Sequence, residues 1–133
     1  MFTIFKMTLK ALYRPVGQLE LDLIKKSNYN YFPPRLSWQP IFYPVLDYDY
    51  ACTIARDWNA KDESNGNVGY VTQFEIPLDY FNKFKIENVG ASNHNELWVP
   101  AEELENFNYQ IVNKIKIIKV FYGENYKGAK KSY

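Results

Sequence analysis

The sequence is poor in the residues that chemistry most often recruits. It holds one cysteine, Cys52, and one histidine, His94. A lone Cys excludes an internal disulfide and suits a reducing compartment, so a cytoplasmic protein is expected. One His and one Cys leave only carboxylates to hold a metal, and no calcium-loop spacing occurs. No metal site is therefore expected. No Gly-rich phosphate loop of the dinucleotide or P-loop kind is present. An excess of one charge is missing too. Sixteen basic against 15 acidic side chains leave a net +1, which exerts no general pull on nucleic acid or acidic membranes. No apolar run is long enough to span a bilayer, and Met1 to Met7 is too short and interrupted for a secretion signal, so no membrane role is expected. No repeat or low-complexity linker divides the chain.

Aromatic residues, in contrast, are abundant at 18%, and half of them are Tyr. A Tyr ring packs while its hydroxyl meets a polar group. The surplus suits a pocket that stacks planar ligands, and equally a genome whose codons favour Tyr, Asn and Lys. With 47% hydrophobic and 23% charged residues in a chain of 133, the balance is that of one globular domain with a real core. That domain spans 1–133, with a leader over 1–8 and a Lys-rich tail over 123–133 read as peripheral.

Periodicity predicts a first strand from Leu9 to Val16, with Leu12 and Arg14 on one face and Ala11 and Tyr13 on the other. A helix from Gln18 to Ser27 follows, with Leu19, Leu23 and Ile24 inward and Lys25-Lys26 at its negative end. Pro33-Pro34-Arg35 stiffens an irregular stretch. Pro40 to Leu46 reads as a strand. Asp47 caps a helix whose Tyr50, Ala51, Ile54, Ala55 and Trp58 recur at helical spacing. Lys61 to Asn67 is a polar loop, Gly69 to Ile76 an alternating strand, and Lys85 to Val89 another. Glu96 sits at the mouth of an apolar strand, Leu97 to Val99, ended by Pro100. Ala101 to Val112 then reads as a helix and Ile115 to Tyr122 as the last strand. Strands mixed with short helices and short connections argue for an α+β domain rather than a doubly wound sheet.

Nucleophilic chemistry finds little support. Cys52 lies in an apolar helical stretch, where a thiol is inert, and no Ser sits on a strand-to-helix elbow. What remains are polar residues that end or flank strands. Glu96 stands between the turn-rich Gly90 to Asn93 and a rigid strand, a place from which a carboxylate can be aimed. On spacing alone it reads as well as a surface residue of an edge strand. Arg14 reads either as an anion ligand or as the partner of Glu20. Tyr43 lies in a strongly apolar strand, and Trp98 reads as a sheet residue.

Several segments together resemble a group of short bacterial proteins labelled ADP-ribosylation/crystallin J1. They are Leu12 to Gly17, Phe32 to Leu36, Gln39 to Leu46, Ile54 to Asn59, Gly69 to Thr72 and His94 to Leu104. The order of elements is similar, more distantly, to the ADP-ribosyltransferase fold. That resemblance implies a split, mainly antiparallel sheet gripping NAD in a cleft. It implies Arg14 as the first-strand residue, Tyr43 as the aromatic on nicotinamide, helped by Tyr70 or Trp98, and Glu96 as the third-motif carboxylate. His94 stands where Gln or Glu is usual, and the Ser-Thr-Ser motif of the arginine-type enzymes is missing.

The implied chemistry is coherent. Breaking the nicotinamide–ribose bond passes through an oxocarbenium-like sugar, which a carboxylate stabilises. Forked guanidinium donors at Arg14, and Arg35 from its stiff loop, suit phosphate. His94 is expected to orient the acceptor or take its proton. The expected function is transfer of ADP-ribose from NAD to a macromolecular or small acceptor, in a toxin-like setting that would bring an antitoxin partner. The alternative is a non-catalytic nucleotide- or protein-binding module on the same scaffold. A relative acting on RNA or DNA ends is a third reading, which the near-neutral charge disfavours.

Overall fold

The computed structural model describes residues 7–133, so most of the leader read over 1–8 lies outside the described residues. Two small antiparallel sheets carry the chain. The first has the order β1 (Leu9–Val16), β3 (Val68–Pro77), β6 (Val112–Tyr122); the second runs β2 (Ile41–Phe42), β5 (Asn95–Pro100), β4 (Lys85–Asn88). Among the described residues four short α-helices pack on them: α1 (Gln18–Lys26), α2 (Tyr48–Asp57), α3 (Leu78–Phe81) and α4 (Leu104–Gln110). The expected α+β class, with antiparallel pairing throughout, is what the molecule shows. No helix of the described residues is long and apolar enough to cross a membrane.

The seam between the two sheets decides where a site can form. Among the described residues Val45 alone joins them, bridging Tyr13 of β1 on one side and Glu96 of β5 on the other. The predicted strand from Pro40 to Leu46 is cut to two residues because Pro44 lacks an N–H and cannot continue the ladder. Its carbonyl still accepts from Leu97 N at 2.8 Å. The sheet therefore opens at Tyr43-Pro44 and closes again at Val45.

Each face of the first sheet has its own core. Leu21 and Ile24 of α1, Tyr80 and Phe81 of α3, and Leu104 and Phe107 of α4 pack with Leu12, Phe32, Phe42 and Phe74. On the other face Tyr50, Ala51 and Ala55 of α2 pack with Val45 and Val71. Burying each large apolar side chain contributes roughly 1.5–3 kcal/mol. Gly69 allows α2 to approach β3, since an added Cβ would collide with the Ala55 carbonyl oxygen. Asn108 is buried and ties the irregular stretch to α4: its Oδ1 accepts from Phe32 N at 2.9 Å and its Nδ2 donates to Phe32 O at 3.0 Å.

Three expectations change. Leu19 and Leu23 face solvent at 61% and 47% exposure, while Leu21 and Ile24 are buried. Trp58 lies beyond the end of α2 and is exposed. The tail after β6, which its Lys-rich composition predicts to be frayed, turns back: Tyr126 packs at 46° to Tyr122 with ring centroids 4.5 Å apart, and Tyr122 Oη accepts from Lys131 N at 2.6 Å.

Candidate functional site

Alternation along β5 sorts its side chains. Leu97 and Val99 enter the larger core, so Glu96 and Trp98 point to the opposite face, where Tyr50 of α2 lies. On β1, Leu12 and Val16 enter the larger core, and Arg14 shares their face. Arg14 and Glu96 nevertheless line one cavity of about 330 Å³, because the sheet is open between their strands. Gly17, Glu20, Tyr43, Val45, Asn59 and Asn65 are among the other residues of its wall. Outside it lies a second hollow of about 530 Å³, lined by Trp38, Pro40, Ile41 and Trp98. Arg35, Gln39, Tyr43 and Glu96 border both, so the two form one cleft. Each hollow is in the size range of small-ligand sites.

The carboxylate of Glu96 is held on both oxygens. Tyr50 Oη donates to Oε2 at 3.0 Å and Trp98 Nε1 donates to Oε1 at 3.2 Å. Burial first, and then the Glu96 carboxylate, pushes the Tyr50 phenol up to about 12, so it remains a donor at neutral pH. This clamp fixes the direction in which Glu96 points.

Arg14 is nearly buried and grips Glu20 with a fork: Nε to Oε2 at 2.6 Å and Nη2 to Oε1 at 2.9 Å. Burial alone would lower its pKa, but the facing Glu20 carboxylate outweighs it and holds the guanidinium charged. Arg35 donates Nε to Ile41 O at 3.0 Å, and its guanidinium lies 5.6 Å from the Tyr43 ring. Burial, and then the like charge of Arg14, lower its pKa, so the two cations feel one another across the cleft. An anion between them relieves that repulsion.

The cleft thus brings together Arg14, Arg35, Tyr43 and Glu96 from four separate segments. It does not bring in Tyr70 or His94. The Tyr70 ring is buried in the core, its Oη donates to Gln18 Oε1 at 2.7 Å, and it lines neither hollow. Alternation along β3 turns Tyr70 to the same core face as Phe74. His94 stacks on Tyr50, with centroids 4.2 Å apart and planes 16° from parallel. It lines neither hollow and meets Glu96 through Tyr50, whose Oη donates to the carboxylate.

Sequence reasoning missed Asn59, Asn65, Gln39 and Trp38 at the cleft, and Tyr50 as the Glu96 clamp. No spacing rule points to them, because loops and helix ends supply them. Fold and site define a class: an α+β domain with a two-part, aromatic-rimmed cleft holding two guanidiniums and a fixed carboxylate. No protein-family model, curated protein or solved structure matches the chain.

Proposed function

We propose that the chain is an ADP-ribosyltransferase-like enzyme on a split-sheet scaffold, which takes NAD as substrate in this cleft and releases nicotinamide. One observation carries the reading: Arg14, Arg35, Tyr43 and Glu96 border a single cleft at the seam that Val45 bridges. Arg35, with the remaining N–H groups of Arg14, binds the pyrophosphate. Tyr43 or Trp98 stacks on a ring of the dinucleotide. Glu96, clamped by Tyr50 and Trp98, faces the nicotinamide ribose.

In the reaction the C1′–N1 bond breaks and its electron pair goes to the nicotinamide nitrogen, which becomes neutral. The positive charge left on the ribose is stabilised by the Glu96 carboxylate. A nucleophile of the acceptor then bonds to C1′ and loses its proton to water. A cytoplasmic setting supplies NAD and keeps Cys52 reduced.

A second reading is a binding module without turnover. The Arg14 fork closed on Glu20 favours it, since that pair explains Arg14 with no ligand. Calorimetry with NAD and chromatography of free nicotinamide separate the two. The enzyme reading expects binding and release, a nucleotide-binding module binding alone, and no binding defeats both of these and leaves a protein-binding module.

A further inference from the structure

A separate hollow of about 500 Å³ lies between the irregular stretch 31–35 and α4, and of its wall only Arg35 also borders the cleft. Phe32 and Leu104, both buried, supply apolar wall. The buried amide of the wall, Asn108, is already spent on Phe32 N and Phe32 O. Tyr31 and Tyr109 line the hollow too and are exposed at 43% and 67%. Their rings meet edge to face, 5.9 Å apart and 77° from parallel, and so form a corner. Among the described residues no cation of the chain lies over either ring. Glu102 and Glu105, exposed in the same wall, take part in no ion pair there. Arg35 does not answer them: its Nε donates to Ile41 O and its charge lies over Tyr43, a ring of the cleft.

We propose that this hollow binds a small organic cation with an apolar body, of the quaternary ammonium class. A tyrosine face carries the negative side of the ring quadrupole and attracts a cation, and two carboxylates at the same wall add to that attraction. An anion meets the opposite field. The choice of a quaternary over a primary ammonium follows from the spent Asn108 amide and the apolar wall. Three N–H donors of a primary ammonium need acceptors to replace lost water, whereas alkyl groups on nitrogen need none and bury against Phe32 and Leu104. A volume of about 500 Å³ is in the range of small-ligand sites. The assignment stands apart from the nucleotide reading of the cleft.

The test is a proton–nitrogen NMR titration of the full chain with choline, with its neutral carbon isostere 3,3-dimethyl-1-butanol, and with AMP. Choline moves the amide signals of Tyr31, Leu104 and Tyr109 saturably, and the neutral alcohol binds there about tenfold or more weakly. Joint replacement of Glu102→Gln with Glu105→Gln keeps shape and removes charge; Tyr109→Leu keeps an apolar wall and removes a ring. Each weakens choline by about threefold or more, with unfolding curves near wild type because the replaced side chains are exposed. The joint variant suffices if Tyr109→Leu does not fold. Equal affinity for the alcohol makes the hollow a plain apolar groove and overturns the proposal. Shifts there with AMP and none with choline give the hollow to an anion through Arg35 and overturn it as well. So does choline that moves no signal of these residues, or that binds both variants as it binds wild type.

Discussion

Tyr50 donates its phenol hydrogen to Glu96 Oε2 at 3.0 Å, and this bond ties α2, on one face of the sheet, to the mouth of the cleft. His94 lies flat against the other side of the Tyr50 ring. A carboxylate held in this way keeps one orientation, at the cost of depending on a residue that touches no ligand.

Tyr50→Phe therefore lowers kcat for nicotinamide release by about tenfold, with KM for NAD little changed, as for loss of an orienting contact. His94→Phe keeps the stack and leaves kcat near wild type. Were His94 the general base, that substitution would lower kcat by about 100-fold or more. Steady-state kinetics of the two variants distinguishes these outcomes.

The same burial sets an alkaline limit on stability. Tyr50 is pushed from 10.0 up to about 12, by desolvation first and the Glu96 carboxylate next. Burial raises Tyr70 and Tyr80 as well. An unfolded tyrosine loses its proton near its ordinary value while the folded one keeps it. The contribution is thus complete below that value and is lost as pH rises through the folded pKa. Urea midpoints should fall from about pH 10 upward, and less steeply in Tyr50→Phe. An identical fall in both proteins would contradict this.

Arg14 and Glu20 expose only 10% and 23% of their side chains. Glu20→Ala leaves a guanidinium buried and unpaired and costs about 3–5 kcal/mol of folding stability. The joint replacement Arg14→Met with Glu20→Leu recovers most of that loss, because neither charge then needs a partner. The joint variant still binds NAD more weakly than wild type. Wild-type affinity in it would make Arg14 a purely structural residue.

Asn108 holds the stretch that carries Arg35. Asn108→Ala orphans Phe32 N and O and costs about 1–3 kcal/mol. Amide exchange between Tyr31 and Leu36 quickens, and KM for NAD rises more than kcat falls. Hydrogen exchange and kinetics on the one variant check both.

Much of this architecture is legible in the sequence, where local chemistry is one-sided. The strand over Leu9–Val16 and the Asp47 cap accepting from Tyr50 N at 2.9 Å stand as read, and the strand expected over Gly69 to Ile76 is observed one residue longer at each end, as Val68–Pro77. The face of α1 does not, because Leu19, Leu21 and Leu23 alternate around the helix and permit two buried stripes. A contact from outside the helix decides: Arg14 draws Glu20 to the sheet, and Leu21 and Ile24 turn in with it. Pro44 interrupts what composition presents as one apolar strand, and the interruption is what exposes Tyr43 to the cleft. Asn59 and Tyr50 enter the site through tertiary packing of a helix and its end, which no periodicity encodes.

The central claim is that the clamped carboxylate of Glu96 carries the cleavage of NAD. The most direct measurement is nicotinamide released from NAD by wild type and by Glu96→Gln, with unfolding curves and NAD affinity taken alongside. Glu96→Gln keeps its shape and both oxygen-side neighbours in place, so folding and binding stay near wild type while release falls by about 100-fold or more. Release at the wild-type rate from a folded, NAD-binding Glu96→Gln protein would contradict the claim, as would a wild-type protein that releases none.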